Sequence, residues 1–115
     1  MPEIALKRAY APAAPSDGQR LLVDRLWPRG ISKEKLQLTE WLKDVAPSDA
    51  LRHRFHHDPS LWDAFRRAYF AELDANPEAV QALRDRISEG PVTLIYAAKD
   101  EAHNNALALR DYLLQ

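Results

Sequence analysis

The 115-residue sequence contains no cysteine and only three glycines. Without cysteine, this sequence has no disulfide framework, no thiol nucleophile and no thiolate metal site. No apolar run approaches the roughly 18 residues of a membrane-spanning helix, and the first residues lack the charged-then-apolar layout of a secretory signal. Neither a glycine-rich phosphate loop nor a nucleophile elbow is present. These absences favour a cytoplasmic protein and leave its reaction class open.

The charge is nearly balanced, with 16 basic and 17 acidic side chains and a formal net charge of -1. This balance argues against a broad electrostatic surface for nucleic acid or membrane, although a local basic pocket is compatible with it. Hydrophobic residues make up 46% of the chain and charged residues 29%, which is ordinary for a folded globular protein. The length suits one modest core. We therefore predict a single domain over residues 1–115, as a monomer or homodimer.

Three segments have the pattern of strands: residues 3–8, residues 20–24 and residues 91–98. The last is almost continuously apolar and rich in β-branched residues, which is typical of a parallel strand buried on both faces. The segments between and after these strands have helical patterns. The order of elements predicts an α/β fold with a small, mainly parallel three-stranded sheet covered by helices.

Helix starts are predicted from residues that suit the N-cap position. Leu38, Trp41, Leu42 and Val45 also have helical spacing, which predicts a short helix over residues 38–45. The predicted N-cap residues are Ser32, Ser48, Ser60 (with Asp63 three residues later), Asn76 and Asp100.

The second strand runs into a charged loop, Arg25–Gly30. Pro28 fixes its own φ and Gly30 permits a positive φ, so the loop is predicted to be stiff. It holds Arg25 and Arg29 four residues apart. Two interpretations stay open: an anion-binding loop with Trp27 lining a pocket, or a strand-end salt bridge of Asp24 with an arginine and Trp27 as a core plug.

The last strand also ends in charged residues, Lys99 and Asp100. If the second and last strands are parallel neighbours, their carboxyl ends meet at the edge where α/β sheets bind ligands. A helix beginning at Asp100 would add free amides suited to phosphate, sulfate or carboxylate. His103 and Asn104 would then lie in its first turn, and the helix dipole would keep His103 neutral unless a carboxylate compensates.

The predicted site therefore lies at the carboxyl ends of the strands, with no cofactor. The alternative is that its charges only neutralise one another and Asp100 only caps a helix. If the site prediction holds, Arg25→Ala abolishes anion binding and leaves the fold intact. The predicted ligand-binding residues are Arg25, Trp27, Arg29, Lys99, Asp100 and Asn104, and the proton-transfer candidates are Asp24 and His103.

His53, His56 and His57 raise the question of a metal site, because the first and last are one helical turn apart. The motif lacks the adjacent glutamate of zinc proteases, and His57-Asp58-Pro59 is predicted to leave the helix. We therefore predict no metal site and interpret these residues as solvent-facing or helix-end histidines.

Several short motifs occur together along the chain: Val23–Gly30, Trp41 with Lys43, Ala46–Ser48, Leu51-Arg52, His57–Pro59, Tyr69 with Glu72-Leu73, Tyr96–Asp100, Asn104 and Ala106. Together they resemble the YeaO-like family, a family of small bacterial proteins of unknown function. The resemblance covers nearly the whole chain and implies a compact cytoplasmic α/β domain, without implying a reaction. The family pattern includes Asp24, Arg25, Trp27, Arg29, Lys99 and Asn104, together with Trp41, Lys43 and His57.

Two hypotheses from other classes remain. The first is a non-catalytic protein-interaction or regulatory module that uses the Trp27 loop as its contact patch. An exposed apolar patch with no adjoining cavity would favour it. The second is nucleic-acid binding through Arg25, Arg29, Arg52 and Lys99, against which the net charge of -1 argues.

Overall fold

The computed structural model describes residues 3–55 and 58–115. Its sheet has four strands: β1 (Ile4–Arg8), β2 (Gln19–Leu22), β3 (Glu40–Trp41) and β4 (Val92–Tyr96). The spatial order is β1-β4-β2-β3, and every neighbouring pair is parallel. The α/β class and the parallel pairing of β2 with β4 are confirmed. The predicted count of three strands is wrong, because β3 adds a fourth at one edge.

Strand β4 is the centre of the sheet. It pairs with β1 on one side, from Ile4 opposite Val92, and with β2 on the other, from Gln19 opposite Val92. All five of its residues are buried. The apolar run over residues 92–96 is therefore explained by cover on both faces of the sheet, as predicted.

Two apolar clusters cover the two faces of the sheet. Because successive residues of a strand point to opposite faces, Leu21 and Leu94 belong to the first cluster, whereas Leu22 and Ile95 belong to the second. The helices of the first face are α2 (Asp49–Phe55), α3 (Trp62–Asp74), α4 (Pro77–Ser88) and α5 (Asn105–Leu113), and the second face is covered by α1 (Lys33–Leu36) and loop residues.

The predicted short helix over residues 38–45 is wrong. Its place is taken by β3 and a 3-10 turn, Lys43–Val45. Leu38 and Trp41 pack on the second cluster, whereas Leu42 and Val45 pack on the first. The helix-like spacing therefore comes from a chain that passes from one face of the sheet to the other.

Of the predicted N-caps, Ser32 and Ser48 are confirmed, and Ser60 is wrong. Ser32 Oγ accepts a hydrogen bond from the Lys35 amide (3.2 Å), and Ser48 Oγ accepts one from the Leu51 amide (3.1 Å). Ser60 does not cap α3, because it lies inside a preceding 3-10 turn. Aspartate is as good an N-cap as serine, and here Asp58 caps that turn.

Asn76 stands at the N-cap position of α4, as predicted, but its side chain does not cap the helix. Its Nδ2 instead donates to the Asp44 carbonyl at 2.9 Å, which ties the start of α4 to the turn after β3. None of the helices in the described residues is long and apolar enough to cross a membrane.

Candidate functional site

A cavity of about 380 Å³ opens at the carboxyl edge of the sheet. Its floor comes from the residues that follow β2 and β4 and from the start of α5, and helices α2 and α3 add a further wall. The lining residues are Tyr10, Asp24–Arg29, Pro47, Arg52, Phe55, Asp58, Trp62, Phe65, Ala97–Lys99 and His103–Asn105. The volume lies at the small end of the roughly 300–1,000 Å³ range of ligand pockets.

Asp24 joins three elements at the floor of the cavity. Its Oδ2 accepts a hydrogen bond from the Ala97 amide (2.9 Å), and its Oδ1 accepts one from Asn105 Nδ2 (3.0 Å). Its main-chain carbonyl accepts from Trp41 Nε1 at 2.7 Å. These bonds hold the end of β2 against the end of β4 and the first turn of α5.

Arg25 is positioned by backbone carbonyls. Its Nε donates to the Pro47 carbonyl (3.2 Å) and its Nη2 to the Ala46 carbonyl (3.1 Å). Arg25 therefore supports the segment before α2 as well as lining the cavity. The alternative of a strand-end salt bridge is not seen, since no ion pair joins Asp24 to Arg25 or Arg29 within the described part of the chain.

Trp27 and Arg29 lie on the loop that forms one side of the cavity. Trp27 is half-buried, donates from Nε1 to the Ile31 carbonyl (2.8 Å) and packs edge-on against Trp41 with ring centroids 5.5 Å apart. Gly30 has φ +74°, which lets the loop turn back as its composition predicted. The Arg29 side chain is exposed and has no ion pair with a described residue.

The prediction that Asp100 caps the last helix is wrong. Helix α5 begins at Asn105, and Asn104 is its N-cap, with Oδ1 accepting from the Leu107 amide at 2.8 Å. Asp100 Oδ1 instead accepts from the Ala102 and His103 amides and closes a turn four residues earlier. Both residue types favour N-caps and Asx turns, so composition did not decide between them.

His103 therefore precedes α5 and does not lie in its first turn. Its Nδ1 is 2.9 Å from Asp100 Oδ2, and its ring packs edge-on against Trp62 with centroids 5.4 Å apart. The hydrogen bond with His103 lowers the pKa of Asp100. A carboxylate is thus hydrogen-bonded to the imidazole.

Helices α2 and α3 and the segment between them bring residues that were not among the predicted ligand-binding residues of the strand-end site. Arg52 pairs with Asp49 (2.9 Å) and lines the cavity. Asp58 accepts hydrogen bonds from the Ser60 hydroxyl and amide, which lower its pKa. The signal for their position was weak, because only tertiary packing brings α2 and α3 to the strand ends. Phe55, Trp62 and Phe65 pack on the first cluster and also line the cavity.

The structure contains no group of three or more histidine, aspartate or glutamate side chains placed to hold a metal, within residues 3–55 and 58–115. His53 is exposed on α2. His56 and His57, the other two histidines of the sequence motif, lie outside the described residues.

Comparison with known families adds a finding to this geometry. A family profile described as "Inactive DUF488-N3 subclade" matches residues 3–115. The chain belongs to the DUF488-N3i family.

Relatives of this DUF488-N3i chain extend over almost its whole length. It is 47% identical over 110 residues to the "Uncharacterized protein YeaO" of Escherichia coli strain K12, covering 96% of each chain. It is 39% identical over 110 residues to the "Uncharacterized protein Rv3073c" of Mycobacterium tuberculosis strain H37Rv, covering 96% of this chain and 92% of the relative. The same values hold for the "Uncharacterized protein Mb3100c" of Mycobacterium bovis. No solved structure matches the chain. The resemblance to the YeaO-like family is confirmed.

The structure brings most of the predicted site residues of this DUF488-N3i chain around one cavity. Asp100 is the exception: it stands behind His103 and does not line the cavity. Asn105 was not predicted, although it hydrogen-bonds both Asp24 and the Val23 carbonyl. The predicted residues that line the cavity are Asp24, Arg25, Trp27, Arg29, Lys99, His103 and Asn104. Their roles in binding or proton transfer stay predictions.

Proposed function

We propose that this domain binds a small anionic ligand in the cavity at the strand ends and does not transform it. The observation that carries the proposal is the charge of the lining. Among the described residues, four basic side chains and two acidic ones line the cavity, an excess of two positive charges in a chain whose formal net charge is -1. The basic residues are Arg25, Arg29, Arg52 and Lys99.

The two acidic residues of the lining are already used as hydrogen-bond acceptors. Asp24 accepts from Ala97 and Asn105, and Asp58 accepts from Ser60. Arg29 and Lys99 are exposed, and neither forms an ion pair with another described residue. A phosphate or carboxylate at this position would therefore meet cations that no neighbouring carboxylate of the described chain neutralises.

Binding without chemistry is supported by two observations. Asp24, a predicted proton-transfer residue, is held in place by the hydrogen bonds that join β2, β4 and α5. The family description also names an inactive subclade. His103 remains the other predicted proton-transfer residue, and in this proposal it contacts the ligand as a hydrogen-bonding group.

The rival hypothesis, a protein-interaction module at the Trp27 loop, has one observation in its favour. Leu26 is 61% exposed and lies beside Trp27. However, Trp27 itself is half-buried with its Nε1 hydrogen-bonded, and a cavity adjoins the loop. An interaction module would be favoured by an exposed apolar patch with no adjoining cavity. The cavity beside the Trp27 loop therefore favours ligand binding.

A thermal-shift panel tests the proposal, with phosphate, sulfate, simple carboxylates and sugar phosphates each supplied at about 10 mM. A ligand at about 100 times its Kd adds about 2.7 kcal/mol to the free energy of unfolding, which raises Tm by several degrees. We expect at least one anion class to produce such a shift in the wild type.

Matched variants locate the binding site. Arg29→Gln combined with Lys99→Gln removes two exposed cations from the cavity, and Lys33→Gln combined with Lys35→Gln removes two exposed cations from α1. We expect the first pair to weaken anion binding at least tenfold, about 1.4 kcal/mol, and the second to bind like the wild type. A flat panel would overturn the proposal, as would equal binding by both double variants.

A further inference from the structure

One wall of the cavity is made of aromatic rings. Trp62 and Phe65 are half-buried on the first turn of α3, with ring centroids 5.7 Å apart and planes within 19° of parallel. Phe55 of α2 packs edge-on against Phe65 at 6.0 Å. These rings form a rigid apolar surface that faces the cavity as well as the core.

The opposing wall comes from the other face of the sheet. Trp27 packs on the second apolar cluster, whereas Trp62 and Phe65 pack on the first. Because the two clusters lie on opposite faces of the sheet, these side chains approach the cavity from opposite sides of its edge. Leu26 and Pro28 extend the apolar wall beside Trp27.

An inorganic anion leaves such walls uncovered. Phosphate or sulfate is attracted by the cations, but it cannot cover the apolar side chains. The removal of apolar surface from water is the main favourable term when apolar groups are buried. A ligand that carries an anionic group on a flat ring gains binding energy from the cations and from the apolar walls, because aromatic rings pack well in offset-stacked and edge-to-face arrangements. The side chains that line the cavity therefore match a ligand with two chemically different parts.

The positions of the aromatic and the basic side chains indicate how a ligand would be oriented in the cavity. Phe55 is buried and Trp62 and Phe65 are half-buried, whereas Arg29 and Lys99 are exposed. The ring of a ligand thus fits the inner aromatic wall while its charged group remains at the basic rim.

We propose that the ligand is a small planar aromatic compound carrying a phosphate or carboxylate, with its ring on the Trp62–Phe65 wall and its anionic group at Arg29 and Lys99. This inference rests on the proposed function and adds the class of the ligand to it. His103 lines the cavity and packs against Trp62, and its Nδ1 is held by Asp100. Its Nε2 is then the ring nitrogen that contacts the ligand.

Isothermal titration of the full chain with probes that separate ring from charge tests the inference. Adenosine 5′-monophosphate and 1-naphthyl phosphate carry a ring and a phosphate, and 1-naphthoate carries a ring and a carboxylate. Ribose 5-phosphate carries the phosphate without a ring, and adenosine carries a ring without the charge. We expect at least one ringed anion to bind ten or more times more tightly than both ribose 5-phosphate and adenosine.

The other outcomes distinguish the two proposals. If ribose 5-phosphate binds as tightly as every ringed anion, the inference is wrong and anion binding stands. If no anion binds more tightly than adenosine, or if no anion binds at all, the proposed function fails and the inference fails with it. A preference between 1-naphthyl phosphate and 1-naphthoate identifies the anionic group.

Two matched α3 variants test the position of the ring. Trp62→Leu removes a ring from the cavity wall, and Phe70→Leu removes a ring that packs on Tyr112 and does not line the cavity. We expect Trp62→Leu to weaken the ringed anions at least fivefold, with ribose 5-phosphate unchanged, and Trp62→Phe to restore part of the loss. Phe70→Leu should bind like the wild type. Equal binding by Trp62→Leu and the wild type would overturn the assignment of the wall, with Tm and circular dichroism reporting that each variant is folded.

Discussion

The two ends of strand β2 both carry charged side chains, but they hold them in different ways. At the start of β2, the Asp17 carboxylate accepts hydrogen bonds from Lys7 Nζ and Arg20 Nη1, each at 2.7 Å, and from the Ala14 amide at 3.0 Å. Asp17 and Arg20 are only 6% and 4% exposed. These side chains pair with one another at largely buried positions, so they fix the loop before β2.

At the other end of β2, main-chain groups help to position both side chains. Arg25 donates to two main-chain carbonyls, and Asp24 accepts from the Ala97 amide. Arg29 is exposed beside the cavity. The difference between the ends teaches that charge on its own does not identify a site. A site needs charges that are held in position without being neutralised by their neighbours.

The largest expected effect concerns the buried ion pair. Asp17→Asn leaves Arg20 buried without its carboxylate, and breaking such a pair costs about 3–5 kcal/mol. We expect chemical denaturation to show a loss of this size. Asp111→Asn, the matched change in the half-exposed pair with Arg66, should cost no more than about 1 kcal/mol. Equal stability of Asp17→Asn and the wild type would remove the distinction between the two ends of β2.

The pH dependence of stability sharpens the same comparison. Burial raises the pKa of Asp17, but the hydrogen bonds from Lys7, the Ala14 amide and Arg20 outweigh it and lower the pKa from 3.8 to about 2. A lowered native pKa contributes stability above the unfolded value that is lost as the pH falls through the native value. We expect the wild type to lose stability between about pH 4 and pH 2, and Asp17→Asn to lose less over that range in denaturation curves. If the stability of Asp17→Asn falls with pH as steeply as that of the wild type, Asp17 is not the source of the pH dependence.

An intermediate effect is expected at Arg25. From the sequence, Arg25→Ala is expected to leave the fold intact. In the structure, however, the Arg25 guanidinium donates hydrogen bonds to two main-chain carbonyls. Losing these charge-assisted hydrogen bonds should cost about 1–3 kcal/mol, with weaker anion binding in addition. Arg52→Ala removes only the exposed pair with Asp49 and should cost less than about 1 kcal/mol. If Arg25→Ala is as stable as the wild type, the original expectation is correct.

The smallest effect on stability is expected at Arg29. Arg29→Gln should change the free energy of unfolding by no more than about 0.5 kcal/mol, as is usual at exposed positions. Its anion affinity should nevertheless fall, and affinities at about 50 and about 300 mM salt should differ less than in the wild type, because one screened contact is gone. An unchanged salt dependence would place the anion away from Arg29.

Much of the sheet could be predicted because its pattern is local. Residues 92–96 are almost continuously apolar, and residues 4–8 alternate loosely, so β4 and β1 follow from side-chain periodicity. Strand β3 could not be found this way, because it has only two residues and its apolar neighbours serve opposite faces of the sheet.

The candidate site also has a part that could be predicted from the sequence and a part that could not. The positions after β2 and β4 could be predicted because parallel strands bring their carboxyl ends together. The contribution of Phe55 and Trp62 could not, because it depends on how α2 and α3 pack across the sheet. Asp100 and Asn104 show a third limit. Both suit an N-cap, and only the tertiary structure selects Asn104 for α5.

The strand order has a consequence for how the domain assembles. Strand β4 lies between β1 and β2, so residues 4 and 92 are paired neighbours although 88 positions separate them in the chain. Contacts of such sequence separation slow folding, because a long loop must close before they form. During synthesis neither β1 nor β2 has its central partner until residues 92–96 have left the ribosome. The cavity, whose floor needs the end of β4, is therefore among the last features of the molecule to form.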